Sequence, residues 1–160
     1  MTTYYLLHDS PVGELLLVCN GMAITDLHIT NGKYVPAVLP DWLRDETHAV
    51  LRQARGELDA YFAGKLRTFS VPLAPRGTDF QKRAWAALLS IPYGETRSYG
   101  QQAAAIGRPT AVRAVGAANG KNPIGIIVPC HRVIGADGRM TGYAGGLDKK
   151  EFLLKMEGAL

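Results

Sequence analysis

Asn20-Gly21 stands between two apolar runs, Glu14 to Cys19 and Ala23 to Ile29. Both residues tolerate the positive φ of a tight two-residue turn, so the pair predicts a hairpin and with it an antiparallel sheet. Thr3 to His8 reads as a third strand, set off by Ser10-Pro11-Val12-Gly13. A loop runs from Asn31 to Pro40. Asp41 is then placed to cap a helix whose apolar positions Leu43, Val50, Leu51, Ala54, Leu58, Tyr61 and Phe62 form one stripe before Gly64. Such a helix covers one face of the sheet. Trp42, Tyr61 and Phe62 are packing residues in this reading, and no chemistry falls to this half.

Leu73-Ala74-Pro75-Arg76-Gly77 reads as a linker, giving an N-terminal α/β domain over residues 1–73 and a second domain over 78–160. Thr78 or Asp79 caps a helix with Phe80, Ala84, Trp85, Leu88 and Leu89 on one face, ended by Pro92. Ser98 caps a short helix, Gly107 makes a turn and Pro109 opens a second helix, a helix-turn-helix of the length used on DNA. From Thr110 to Asn119 the only charge is Arg113. Two readings stay open for so slim a helix. Thr110, Ala111, Ala114 and Gly116 allow close approach to a minor groove while Arg113 enters the base stack. Alternatively, an Ala-rich helix is buried in the domain with Arg113 at its rim.

The apolar run Ile124 to Val128 predicts a buried strand that leads into Pro129-Cys130-His131-Arg132. Proline fixes its own φ and extends the residue before it, so Cys130 sits where a rigid segment stops. A lone cysteine is commonly a small buried hydrophobe. Here His131 and Arg132 are neighbours of the kind that favour a thiolate, which tips the reading towards a reactive sulfur. Thr141-Gly142-Tyr143-Ala144-Gly145-Gly146 is a loop whose main chain can approach a ligand. Asp148 and Glu151 have capping-box spacing for a last helix through Phe152, Leu153, Leu154 and Met156 to Gly158. Glu157, in its final turn, is an anion where the helix dipole disfavours one. Facing His131, it would complete a Cys130-His131-Glu157 relay.

The composition, 47% hydrophobic and 20% charged, is that of a soluble globular protein. No membrane-length apolar run and no signal-like start are present, so a cytoplasmic protein without membrane attachment is expected. His8, Cys19, His28 and His48 are scattered without metal-ligand spacing, and no metal is expected. Both cysteines are read as free thiols. Charge divides unevenly along the chain. Residues 1–75 carry six Lys and Arg against eight Asp and Glu, a net −2, whereas residues 76–160 carry twelve against six, a net +6. A basic half that also holds the thiol fits a polyanionic partner, although such asymmetry also serves solubility alone.

Pro129-Cys130-His131-Arg132-Val133, the segment Arg113 to Pro123, Gly142-Tyr143-Ala144-Gly145-Gly146 and the terminal Glu157-Gly158, in this order and spacing, resemble the O6-alkylguanine-DNA alkyltransferases, also called methylated-DNA-protein-cysteine methyltransferases. The likeness is dense from about Thr78 to Gly158 and thinner before it. It implies an α+β protein, with a ribonuclease H-like small sheet and covering helix followed by a mainly helical domain. It also implies single-turnover repair of double-stranded DNA, in which a flipped O6-alkylguanine gives its alkyl group to Cys130. By the same resemblance His131 is a water-assisted base, Glu157 its partner, and Asn122 the brace of the active-site turn. Arg113 is the finger that fills the gap left by the flipped base. Tyr99 contacts the guanine and assists its departure. The carbonyls of Cys130 and Val133 and the N–H of Ala144 read the purine edge, beside Tyr143 and Gly145. No cofactor is implied, and a monomer is expected, with clustering on DNA and action on O4-alkylthymine left open. The zinc that some members carry is not expected, since only Cys19 offers a counterpart. Two other readings compete: a non-catalytic lesion binder of the alkyltransferase-like kind, against which Cys130 itself argues, and a cysteine hydrolase using Cys130, His131 and Glu157.

Overall fold

The computed structural model describes residues 1–160, which separate into two compact units, Met1–Arg76 and Gly77–Leu160. The first holds a sheet of β1 (Tyr4–His8), β2 (Leu15–Cys19), β3 (Ile24–Ile29) and β4 (Leu43–Arg44), in the order β3-β2-β1-β4. The first three strands pair antiparallel, β2 with β3 across the Asn20-Gly21 turn. Gly21 takes φ 95°, and the Asn20 side chain accepts from the amides of Met22 and Ala23, which locks the turn. All five residues of β2 are buried, as a central strand requires. The helix α1 (Ala49–Phe62) lies on the sheet through Leu51, Ala54, Leu58 and Tyr61.

The expected helix start at Asp41 is wrong. Leu43 and Arg44 instead form the parallel edge strand β4 beside Tyr4 and Tyr5, with Leu43 N–H donating to Thr3 O and Asp45 N–H to Tyr5 O. The Asp45 carboxylate accepts from both the amide and the hydroxyl of Thr47, closing a turn before the helix. The cap is His48, whose Nδ1 accepts from Val50 N–H at 3.2 Å. The helix is capped by a side-chain acceptor as the sequence predicts, and which residue supplies it depends on where β4 ends.

The second unit contains α2 (Asp79–Leu89), β5 (Arg97–Ser98), α3 (Tyr99–Ala105), α4 (Val112–Gly120), a 3₁₀ turn (Cys130–Arg132), β6 (Val133–Ile134) and α5 (Leu147–Met156). Thr78 and Ser98 each close a reciprocal capping box, with Gln81 and Gln101. Trp85 is the expected core anchor, and its indole N–H also donates to Ala118 O at 2.8 Å, tying α2 to α4. Gln102 and Asn119 exchange two hydrogen bonds, 2.9 and 2.7 Å, and Gln102 also reaches Ala84 O. Three helices are thus pinned by buried amides that satisfy one another.

Three local expectations are overturned here. Pro109 does not open α4: Arg108 to Ala111 forms a hydrogen-bonded turn, and the helix starts at Val112 with Ala111 as its cap. Asp148 does not cap α5 either. The cap is Gly146, at φ 105°, and Asp148 lies within the first turn, where its charge suits the helix dipole. Ile124 to Val128 is buried as expected but is no strand. Ile127 N–H bonds Gly125 O, Val128 N–H bonds Ile124 O, and Ile126 takes φ 69°, so the segment curls into turns. A β-branched residue in that region is strained, and the surrounding bonds hold it there.

Candidate active site

The coil before the thiol is built around Asn122. Its side chain accepts from Ile124 N–H at 3.0 Å and donates to Val128 O at 2.7 Å, spanning the turn from within. Both ends of the segment are fixed by one amide side chain, and Pro129 then delivers Cys130 to the first position of the 3₁₀ turn. Cys130 is half-buried and free, and its N–H bonds Val128 O at 2.8 Å.

Burial pushes the Cys130 thiol up, while the Asn122 amide and the Lys150 charge pull it down. The expectation that His131 and Arg132 supply this lowering is corrected, because both are committed elsewhere. Arg132 Nε and Nη2 donate to the two oxygens of Glu157 at 2.8 and 3.1 Å, and Nη1 donates to Ile91 O at 2.7 Å. Its guanidinium also lies over the Tyr93 ring, 5.8 Å from the centroid. His131 Nε2 lies 2.8 Å from Glu157 Oε2.

Glu157 thereby explains its place at the C-terminal end of α5: the Arg132 guanidinium balances a charge that the helix dipole alone would oppose. A carboxylate already accepting from Arg132 accepts again from His131, so the imidazole carries its proton on Nε2. Nδ1 is then an acceptor, fully buried and without a hydrogen-bond partner in the protein. Burial holds the imidazole below its ordinary value, against the opposing pull of Glu157. His131 is therefore neutral, with one basic nitrogen available.

Tyr99 reaches the same region by a different route. β5 pairs parallel with β6, Arg97 opposite Val133 and Ser98 opposite Ile134, which sets the first residue of α3 beside the exit of the thiol turn. Its hydroxyl is 2.8 Å from Thr141 Oγ1. Tyr143 is close enough to Cys130 and Glu157 to feel their charges, and burial first, then those charges, raise its phenol well above the ordinary value. Ala144 and Gly145 form the half-buried turn that follows, closed by Gly146 N–H on Tyr143 O.

Lys150 is absent from the sequence reading. It is fully buried without a carboxylate partner, and its Nζ donates to Val133 O at 2.6 Å and Thr141 O at 2.8 Å. One ammonium thus joins the turn after the thiol to the loop before Tyr143. Burial lowers its pKa to about 8, against the opposing charge of Cys130. The signal available in the sequence was a lysine at an inward position of α5, four residues before Leu154.

The helix-turn-helix residues form a separate group. On α4, Val115, Ala118 and Asn119 face the core while Arg113, Ala114 and Ala117 are exposed, so one face of the helix is buried as the second reading has it and the other is open to solvent. Thr110 is exposed and Ala111 half-buried in the turn before it. Gly116 faces inward, where an added Cβ would meet the Tyr99 ring at 3.8 Å. No cluster of three His, Cys, Asp or Glu side chains is placed to hold a metal ion. Cys19 Sγ stands 3.8 Å from His48 Nδ1. No helix is long and apolar enough to cross a membrane.

Residues 79–159 match the model of the 6-O-methylguanine DNA methyltransferase DNA binding domain, and residues 3–75 that of the ribonuclease-like domain of the same proteins. A methylated-DNA–protein-cysteine methyltransferase of Methanosarcina barkeri is 54% identical over 154 residues, 96% of each chain. One from Mycobacterium tuberculosis is 53% identical, over 96% of this chain and 92% of its own. The crystal structure of Mycobacterium tuberculosis OGT in complex with DNA superposes with a TM-score of 0.90 at 51% identity, covering 98% of this chain and 93% of that one. With both halves matched and relatives this similar along nearly their whole length, the chain belongs to the 6-O-methylguanine DNA methyltransferase family.

Proposed function

We propose that this protein repairs DNA by moving the alkyl group of an O6-alkylguanine onto Cys130, once per molecule. The observation that carries the reading is the buried Arg132-Glu157-His131 chain, which leaves the basic Nδ1 of a neutral imidazole next in sequence to a half-buried free thiol. In the reaction the thiol proton passes through water to His131 Nδ1. The thiolate attacks the sp³ carbon in line. The S–C bond forms, the C–O6 bond breaks, and its electron pair leaves with the purine oxygen. Guanine departs as an anion, which the Tyr99 hydroxyl stabilises by donating a hydrogen bond. Water finds no leaving group in the resulting thioether, so the protein is consumed.

The recognition roles follow the same division of the unit. Arg113, on the exposed face of α4, fills the space of the extruded base, and Thr110, Ala111 and Ala114 give that face its slim profile, whereas Gly116 is turned towards Tyr99. The Val133 carbonyl, the Ala144 N–H, Tyr143 and Gly145 surround the purine. Asn122 keeps the turn in shape. Repair of DNA is consistent with a cytoplasmic protein. The test is incubation with duplex DNA labelled in the O6-methyl group. One equivalent of label transferred to protein supports the reading. Binding without transfer would favour a lesion binder, and turnover of an ester or amide a hydrolase.

A further inference from the structure

An open groove of about 610 Å³ lies in the second unit, lined by Asp79, Phe80, Lys82, Arg83 and Arg108. Lys82 and Arg83 are exposed on α2, and Arg108 is exposed in the turn between α3 and α4. These three cations differ from most others in the unit. Arg97, Arg139, Lys149 and Lys155 each meet a carboxylate, and Arg132 is held by Glu157. The side chains of Lys82, Arg83 and Arg108 form no ion pair or hydrogen bond in the protein. Only Arg108 has a contact that fixes it, its guanidinium lying 5.9 Å from the centroid of the Phe80 ring. Asp79 is the single acid in the lining, so the groove carries a net positive charge. Unpaired cations lining one groove, with one held on an aromatic face, suit a row of phosphates.

We infer that this groove is a second contact to duplex DNA, gripping the phosphate backbone beside the helix-turn-helix, apart from the lesion. The inference rests on the repair reading above. Arg108 joins the two surfaces, since the turn that carries it leads directly into α4 and Arg113. Phosphate contacts position a protein without reading sequence. The groove therefore sets affinity and register on any duplex and contributes nothing to the chemistry at Cys130.

Each phosphate neutralised steepens the salt dependence of duplex binding by about 0.9 in log K against log salt. Binding to undamaged duplex is measured across a salt series for Arg83→Ala/Arg108→Ala and for Lys149→Ala/Lys155→Ala, which removes the same charge from α5. The first pair lowers the slope by about two and weakens binding on the order of tenfold at low salt. The α5 pair moves the slope by well under one. Transfer from free O6-alkylguanine base stays at the wild-type rate in the groove variant, which shows that its fold and thiol are intact. Equal slopes for the two pairs, or a wild-type slope in the groove variant, overturn the inference. If the wild-type protein binds duplex but takes no methyl group from it, the repair reading fails while the slope comparison still reports on the groove.

Discussion

His131 Nε2 and Glu157 Oε2 stand 2.8 Å apart with neither side chain exposed to solvent, so the imidazole is held at one nitrogen and left basic at the other. Arg132 binds the same carboxylate, which makes Glu157 the hub of a buried three-residue chain. Removing the charge of Glu157 leaves the Arg132 cation enclosed without a counter-ion. Glu157→Gln is expected to cost about 3–5 kcal/mol of stability by urea denaturation. It should also slow transfer from free O6-alkylguanine base, because the imidazole loses its orientation. A variant as stable as wild type contradicts the ion-pair account.

The pH dependence of stability follows from His131. Its folded pKa is depressed by burial, so the unfolded chain takes up a proton at this site before the folded one does. The stability it contributes is fully present above the unfolded value, about 6.5, and is lost as pH falls through the lower folded value. Urea midpoints measured from pH 7.5 down to 5 should decline in the wild type. The decline should be shallower in His131→Phe. Parallel profiles in the two proteins contradict the assignment.

Lys150→Met removes the donor shared by the buried Val133 carbonyl and the half-buried Thr141 carbonyl, at a cost of about 1–3 kcal/mol for the buried one and less for the other. It also removes the cation that lowers the Cys130 thiol. The pH profile of thiol alkylation by iodoacetamide should shift to higher pH in the variant. Lost stability with an unmoved profile would limit Lys150 to a structural role.

These residues also mark how far the sequence could be read. Asn20-Gly21, Thr78 with Gln81 and Ser98 with Gln101 act within a few positions of themselves, and their turn and caps form as local chemistry dictates. The Glu157-His131 contact was legible for a different reason: an acid at the wrong end of a helix needs a compensating partner. What escaped depends on distant chain. Leu43–Arg44 is a strand only because β1 lies alongside it. Ile124 to Val128 has the composition of a strand, and the Asn122 side chain bends it. Lys150 looks like a surface lysine until carbonyls nine and seventeen positions away meet its ammonium.

Asn122 provides the next test. Asn122→Ala removes one bond to Ile124 N–H and one to Val128 O, both buried, and frees the turn from the left-handed Ile126 onward. A loss of about 1–3 kcal/mol is expected, measured by urea denaturation, because Ile124 N–H is left buried without an acceptor while Val128 O keeps the Cys130 N–H. Thiol alkylation should slow as well, because Cys130 loses both its position and the amide that favours the thiolate. A wild-type alkylation rate in a folded variant contradicts the bracing role.

Arg113 is separable from the chemistry because it sits on the exposed face of α4. Arg113→Ala should slow methyl transfer from duplex DNA by at least about tenfold, the scale of losing one specific contact of 1.4 kcal/mol or more. It should leave transfer from free O6-alkylguanine base unchanged. Equal losses on the two substrates contradict the finger role.

Intact-protein mass spectrometry after exposure to duplex DNA carrying one O6-methylguanine tests the central claim most directly. The account predicts a gain of one methyl group in place of one hydrogen, at one equivalent per protein molecule, located on Cys130 by peptide mapping and absent from Cys130→Ala, which still binds the duplex. An unmodified protein, a methyl group on Cys19, or continued demethylation by a substoichiometric amount of protein would contradict it.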